Sequence, residues 1–214
     1  VVVLVGVPLF APQFWVTLGN YIGLYSIVAL GLVVLTGVAG QTSFGQAAFV
    51  GLGAYTAAYL TLTHGVSPWF TVWIGLVFTG VAALVLGWLT LRMSGHYLPL
   101  ATIAWGLSLY YLLGNIDALG KYDGLLGVPA LRFFGIELNT GRSFFYLLWL
   151  IVVLAALAAI NLLDSRAGRA LRAVKSGSTM AEAMGVDAFQ TKVTAFVLAA
   201  LLAIVPVVGM VANL

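Results

Sequence analysis

The first 91 residues contain no Asp, Glu, Lys or Arg; the first charged side chain is Arg92. A soluble fold meets water through a charged surface, and an ordinary soluble domain is roughly 25% charged. This chain of 214 residues is 63% hydrophobic and 7% charged. It reads as a polytopic membrane protein, all-α, with one transmembrane domain over residues 1–214. In lipid the backbone has to satisfy its own N–H and C=O groups, and a helix does so within each segment.

That requirement makes residues 37–49, G-V-A-G-Q-T-S-F-G-Q-A-A-F, the centre of the sequence. The stretch holds Gly37, Gly40 and Gly45 and four uncharged hydrogen-bonding side chains, Gln41, Thr42, Ser43 and Gln46. Irregular polar backbone at membrane depth is tolerated only where protein surrounds it or a wet cavity lines it, which is also where transport paths run. Gly40, Gln41, Thr42, Ser43, Gly45 and Gln46 are therefore the candidate substrate path. Their neutral donors and acceptors, together with helix ends, can hold a zwitterion without a fixed counter-ion. The structural alternative is polar glue between helices.

A span needs about 20 apolar residues, with a range of about 17–25. Residues 1–10 supply the tail of one, closed by Pro8 and Pro12. Segments 21–36 and 44–62 flank the polar tract, either as two full spans or as a re-entrant pair. Segments 68–91, 96–115, 143–163 and 189–213 complete about seven, with Pro68 at a first helical turn, where its missing N–H is harmless. In 45–58, Ala47 and Gly51, Gly53 and Ala57, and Ala54 and Ala58 lie four apart. Such small-residue faces bring helices close, and they would equally let a substrate run near backbone. The chain shows no initiator Met, basic leader or cleavage site, so it is expected to be a piece of a longer protein.

Basic residues set orientation. The segment 164–188 carries Arg166, Arg169, Arg172 and Lys175, with Lys192 just beyond. Placed in the cytoplasm, it puts Arg92 and the polar tract on the inner side and 116–142 outside. Arg166, Arg169, Arg172 and Lys175 step by three and cover about half a helix circumference, with Leu171 and Val174 opposite. The pattern predicts a short amphipathic helix from a cap at Asp164 or Ser165 to a stop at Gly177. Thr179 and Glu182 have capping-box spacing for a second short helix ended by Gly185, and Asp187 can cap the last span. Lipid headgroups would suit the basic face. A second capped helix has no use for lipid binding and points to docking of a cytoplasmic partner through Arg166, Arg169, Arg172, Ala181, Glu182 and Gly185.

Other classes fit poorly. Basic residues form no groove-facing surface, so nucleic acid is not expected. The absence of cysteine removes thiolate metal sites, and no catalytic, metal or cofactor constellation stands out. An H⁺- or Na⁺-driven carrier would place Asp, Glu or His within spans, whereas His96 falls at a span end and His64 in an outer loop. Asp117, Asp123 and Glu137 have no acid–base or metal spacing.

Three stretches, in order, resemble the permease subunits of branched-chain amino acid ABC transporters of the LivM type. They are Gly31-Leu-x-x-x-x-Gly37-x-x-Gly40-Gln-x-Ser-x-Gly45-x-Ala-Ala-Phe-x-Gly-x-Gly-Ala-Tyr55, Leu91-Arg-x-x-Gly95-x-Tyr97-x-x-x-x-Thr102, and Ser165-Arg-x-Gly-Arg169-Ala-x-Arg172-Ala with Ala181-Glu-Ala-Met-Gly185. The resemblance implies a multi-pass subunit of a bacterial inner-membrane importer. It also implies a second, related permease, two cytoplasmic ATP-binding subunits docking on 164–188, and a periplasmic substrate-binding protein. There is no Gly-x-x-x-x-Gly-Lys-Ser/Thr loop, so ATP is expected to be hydrolysed on another chain. The sequence departs from the family pattern in three places. Gln46 stands where the family often has His, Thr179 where Glu is expected, and Lys121 where a small residue is expected. A urea or amide importer permease shares the same tract and is the nearest alternative.

Overall fold

A computed structural model describes residue 8 and residues 11–92, 97–125, 127, 132–133, 136–137 and 141–204. Helix α1 (Gln13–Leu32) begins directly after Pro12 and continues into a π-helical segment, Val33–Val38. Gln13–Val38 is thus one span of 26 residues, about 39 Å at 1.5 Å per residue. The expected segment 21–36 was too short. Its missing turns hold Gln13, Thr17 and Asn20, whose polarity is locally absorbed. Thr17 Oγ1 donates to Gln13 O, and Asn20 Nδ2 donates to Gly141 O across to another helix.

Helix α2 (Gln46–His64), 19 residues long, follows the polar tract. Gly65, in the left-handed region at φ 62°, ends α2, and Ser67 and Pro68 open α3 (Pro68–Thr90) with proline in its first turn. Helix α4 (Tyr97–Asn115) comes next; His96 lies outside the described residues. Between α4 and α5 the chain makes two 3₁₀ turns, Asp117–Leu119 and Lys121–Asp123. A two-residue antiparallel ladder then pairs Arg132 with Glu137 and Phe133 with Ile136. Lys121 sits at φ 55°, a conformation that glycine, without a Cβ, would hold more cheaply. Its exposed ion pair with Asp117, 2.6 Å long, contributes little.

Helix α5 (Gly141–Asp164) is the longest continuous α-helix described. The loop helices are α6 (Arg166–Ser176) and α7 (Ser178–Ala183), and α8 (Ala188–Ile204) is the last described helix. Ser165 caps α6, its side chain accepting from Gly168 N, as its position predicts. Asp187 Oδ1 caps α8 by accepting from Gln190 N at 2.9 Å. The predicted capping box does not form. Gly177 O already accepts from Ala181 N, so Thr179 lies inside the first turn of α7 and no side chain caps it. Gly185, at φ 82°, terminates α7 as expected, with Val186 N returning to Ala181 O.

Among the described residues four helices are long and apolar enough to cross a membrane: Gln13–Val38, Pro68–Thr90, Tyr97–Asn115 and Gly141–Asp164. Helix α2 is as long as α4 but diluted with Gly, Ala and Thr, because it packs centrally against α3, α4 and α8. The 17 described residues of α8 form a shorter apolar helix, and the segment expected over 1–10 lies outside the described residues apart from Pro8. Of the about seven segments expected, four are thus found as helices of spanning length and apolarity among the described residues.

The bundle has two distinct ends. Asn20, Gly141 and the Arg142 contact to Ala11 O join the starts of α1 and α5 at one of them. The polar tract, α6, α7 and the start of α8 gather at the other, called here the loop end. Six of the nine basic residues lie there: Arg92, Arg166, Arg169, Arg172, Lys175 and Lys192. Arg92 stacks over Trp88, 3.8 Å from the ring centroid, an interfacial anchor of the kind that fixes span ends. Outward faces are apolar, with Phe70, Trp73, Val77, Val81 and Trp88 all exposed on α3; hydrocarbon, not water, is the compatible surrounding.

Small residues let the helices close up. A Cβ added at Gly31 would lie 2.8 Å from Ala199 O, and one at Gly23 would lie 2.8 Å from Leu148 Cδ2. Gly31→Ala is expected to lower the thermal unfolding midpoint in detergent, losing about 1–3 kcal/mol because backbone has to move. Gly106→Ala, whose added Cβ would meet nothing within 4 Å, is the matched control and should leave the midpoint unchanged or slightly raised.

Candidate functional site: the broken helix end and the groove beside it

The π-helical turn is where α1 stops being able to satisfy itself. Ala39 N donates to Val34 O and Gln41 N to Leu35 O, both at 3.0 Å, five and six residues back instead of four. The chain then runs without helix from Gly40 to Gly45. Three side chains take up freed backbone groups, and the tract adds a side-chain bond of its own. Lys175 Nζ donates to Gly37 O at 2.6 Å. Gln41 Nε2 donates to Lys192 O at 3.2 Å, and Thr36 Oγ1 to Gln41 O at 3.2 Å. Phe44 N donates to Thr102 Oγ1 on α4 at 3.1 Å. Ser43 Oγ serves locally, accepting from Gly45 N. Part of the polar backbone at the break is thus met by protein.

The tract residues divide by this bonding. Gln41, Ser43 and Gln46 are buried, at 4%, 4% and 7% exposure. Gly40, Thr42 and Phe44 are exposed, and Gly45 is buried against Thr102. Two carbonyl oxygens, Gln41 Oε1 and Gln46 Oε1, are buried without a partner among the described residues. An acceptor left so costs about 1–3 kcal/mol.

Phe44 also lies at the loop end of a groove of about 410 Å³ between α2 and α4. Ala47, Ala48 and Gly51 line it from α2, and Gly106, Leu107 and Tyr110 from α4. At the far end Tyr122 folds across it, its ring packed on Gly114 and 5.8 Å from the Tyr110 ring. The small-residue faces of α2 therefore separate in role. Gly53, Ala57 and Ala58 are buried, Gly53 meeting Gly75 of α3, while Ala47 and Gly51 face the groove. The groove has no charged lining residue and several aromatic ones, including Tyr55. Its walls suit an aliphatic side chain, with tyrosine hydroxyls as polar contacts.

At the loop end, Leu171 and Val174 are buried beneath α6, at 2% and 5%, as the amphipathic pattern predicts. The basic side chains are not all free for headgroups. Arg169 donates to Asp164 O and Arg172 to Leu163 O, both turning back onto the carbonyl end of α5, where cations are favoured. Arg166 and Glu182 are exposed and Ala181 is buried, packed with Val174 and Ala188. On α7 and just after it, Met180 and Met184 are 74% and 79% exposed. The tract and the loop therefore meet. Thr102, the α2–α4 groove, Tyr122 and the exposed methionines are not legible as a site in the sequence. Thr102 sits in a recurrent motif, but its partner is 58 positions away. Among the described residues no group of His, Asp and Glu could hold a metal ion.

The sequence profile of the family described as "Branched-chain amino acid transport system / permease component" matches residues 15–211. The chain is 30% identical over 201 residues to the high-affinity branched-chain amino acid transport system permease protein LivM of Escherichia coli (strain K12). It is 29% identical over 201 residues to the protein of the same name from Salmonella typhimurium. Each alignment covers 83% of this chain and 47% of the relative, so the chain spans about half the length of these curated relatives. No solved structure matches the chain. With the match covering nearly all of its length, the chain belongs to the branched-chain amino acid transport permease family.

Proposed function

We propose that this protein is the membrane-spanning permease subunit of an ABC importer in a bacterial inner membrane, carrying branched-chain amino acids along the α2–α4 groove. The groove is the observation that carries the reading: it is uncharged, aromatic and apolar, about 410 Å³ in volume, and it ends at the tract. An aliphatic side chain would run along Ala47, Gly51 and Gly106. Its ammonium would meet Gln41 Oε1 and Gln46 Oε1, the two buried acceptors that lack a donor. Gly40, Thr42, Ser43 and Gly45 complete the path by shaping the break. Urea, with no aliphatic part, would gain nothing from these walls, which favours the hydrophobic amino acid over the urea or amide alternative. The groove's open side, facing lipid in the isolated chain, is where a second, homologous permease would close the path.

The loop end would face the cytoplasm, as the excess of basic residues there favours. The α6–α7 pair would dock two ATP-binding subunits through Arg166, Arg169, Arg172, Ala181, Glu182 and Gly185, and through the exposed Met180 and Met184. ATP hydrolysis belongs to those subunits, not to this chain, and a periplasmic binding protein would deliver substrate at the Tyr122 end.

Co-expressed with its partners and reconstituted in vesicles, the protein should import leucine, isoleucine or valine in an ATP-dependent way and leave urea untransported. Urea import without branched-chain import would reverse the substrate assignment. The chain has no cysteine, so Gly106→Cys introduces the sole thiol on this chain. Alkylation by a bulky maleimide should abolish leucine uptake, whereas full uptake after complete alkylation would remove the groove from the path. Gln41→Ala or Ser43→Leu should reduce uptake several-fold while the complex still assembles. Undiminished uptake in both would leave the tract a packing element only.

A further inference from the structure

Lys175 differs from the other bonded cations of its helix. Arg169 and Arg172 reach carbonyls 5 and 9 positions away, within the α5–α6 corner. Lys175 reaches Gly37 O, 138 positions away, at 2.6 Å. Its aliphatic stem lies across Gly40, where an added Cβ would stand 2.9 Å from Lys175 Cγ. Gly40 itself holds φ 67°, so the residue that turns the tract is also the one that admits the lysine. On the other side, Val174 is buried in a cluster with Ala181 and Ala188, which fixes α6 to α7 and to the start of α8. The lysine thus bridges a rigid loop unit and the broken end of α1.

We infer that Lys175 is a positioning residue, the joint through which displacement of α6–α7 moves the 37–46 tract. This rests on the reading that α6–α7 receives the ATP-binding subunits. The physical basis is the shortness of the linkage. An ammonium on a helix-end carbonyl is held by the hydrogen bond and by the helix dipole together. A 2.6 Å bond does not stretch by even 1 Å without being lost. When α6 shifts, either the tract follows or the bond breaks and the exposed Gly37 O exchanges the ammonium for water. Protein packing makes such linkages two-state rather than continuously deformable.

Two measurements on the full complex test this. In Lys175→Met the ATP-binding subunits should still co-purify and hydrolyse ATP, but leucine imported per ATP should fall about tenfold; Lys175→Arg, which keeps a cation and donor, should recover most of it. Gly40→Ala, which crowds the same stem, should resemble Lys175→Met. In parallel, a spin label on Thr42→Cys should become more mobile in the Lys175→Met background and remain restrained in Lys175→Arg. An unchanged spectrum in Lys175→Met overturns the joint, whatever transport does. A mobile label with wild-type import per ATP overturns its role in coupling. Failure of the importer reading would show differently, as no ATP-driven uptake by the unsubstituted protein, and the label would then decide by itself whether the joint exists.

Discussion

Every structural choice around the centre of this protein follows from one constraint: a carbonyl or amide released from a helix in lipid must be met by protein. Helix α1 releases several at once when it widens into a π-turn at Val33–Val38 and then stops. Lys175, Thr36 and Thr102 take them up, and the Gln41 side chain adds a bond to Lys192 O. They come from α6, α8, the π-turn itself and α4, so the break serves as a junction of four elements. Removing regular structure at one place has tied distant parts of the chain together there.

The junction also explains why the groove and the loop lie where they do. Helix α2 starts at Gln46, immediately after the break, and carries Ala47 and Gly51 along the groove wall. Helix α4 supplies the opposite wall and, through Thr102, a bond to Phe44. Helix α6 meets the break from the loop side. A movement at the loop and a change in the groove therefore share one structural intermediary, the tract.

Packing elsewhere is arranged to hold this region still. Gly23 admits Leu148, and Gly31 sits against the backbone of Ala199. Phe49 and Phe196 meet edge to face at 5.5 Å in a core that also contains Leu35, Leu98 and Leu171. That cluster includes residues of the π-turn, α2, α4, α6 and α8, so the apolar core and the polar junction join the same elements. The outward faces of α1, α3, α4 and α5 stay apolar and exposed, which suits lipid or a second subunit.

Much of this was legible in residue order. A charge-free run to Arg92, apolar stretches of span length, Pro68 opening a helix, Gly177 and Gly185 closing two, and Ser165 and Asp187 as caps all follow from local chemistry, because each involves neighbours within a few positions. The amphipathic helix over 166–176 was legible for the same reason. The start of α1 was not, since Asn20 looks too polar for a span until Gly141 O is brought to it. Nor was the failure of Thr179 to cap, which depends on the corner at Gly177. The tract could be recognised from its glycines and amides, but not which side chains turn inward, nor that Lys175 would reach Gly37. Residue order settled that this chain lives in a membrane, breaks once near Gly40 and carries a basic helix at one end. Tertiary structure alone decided which groups answer the break, because a hydrogen-bond donor 138 positions away leaves no local trace in the sequence.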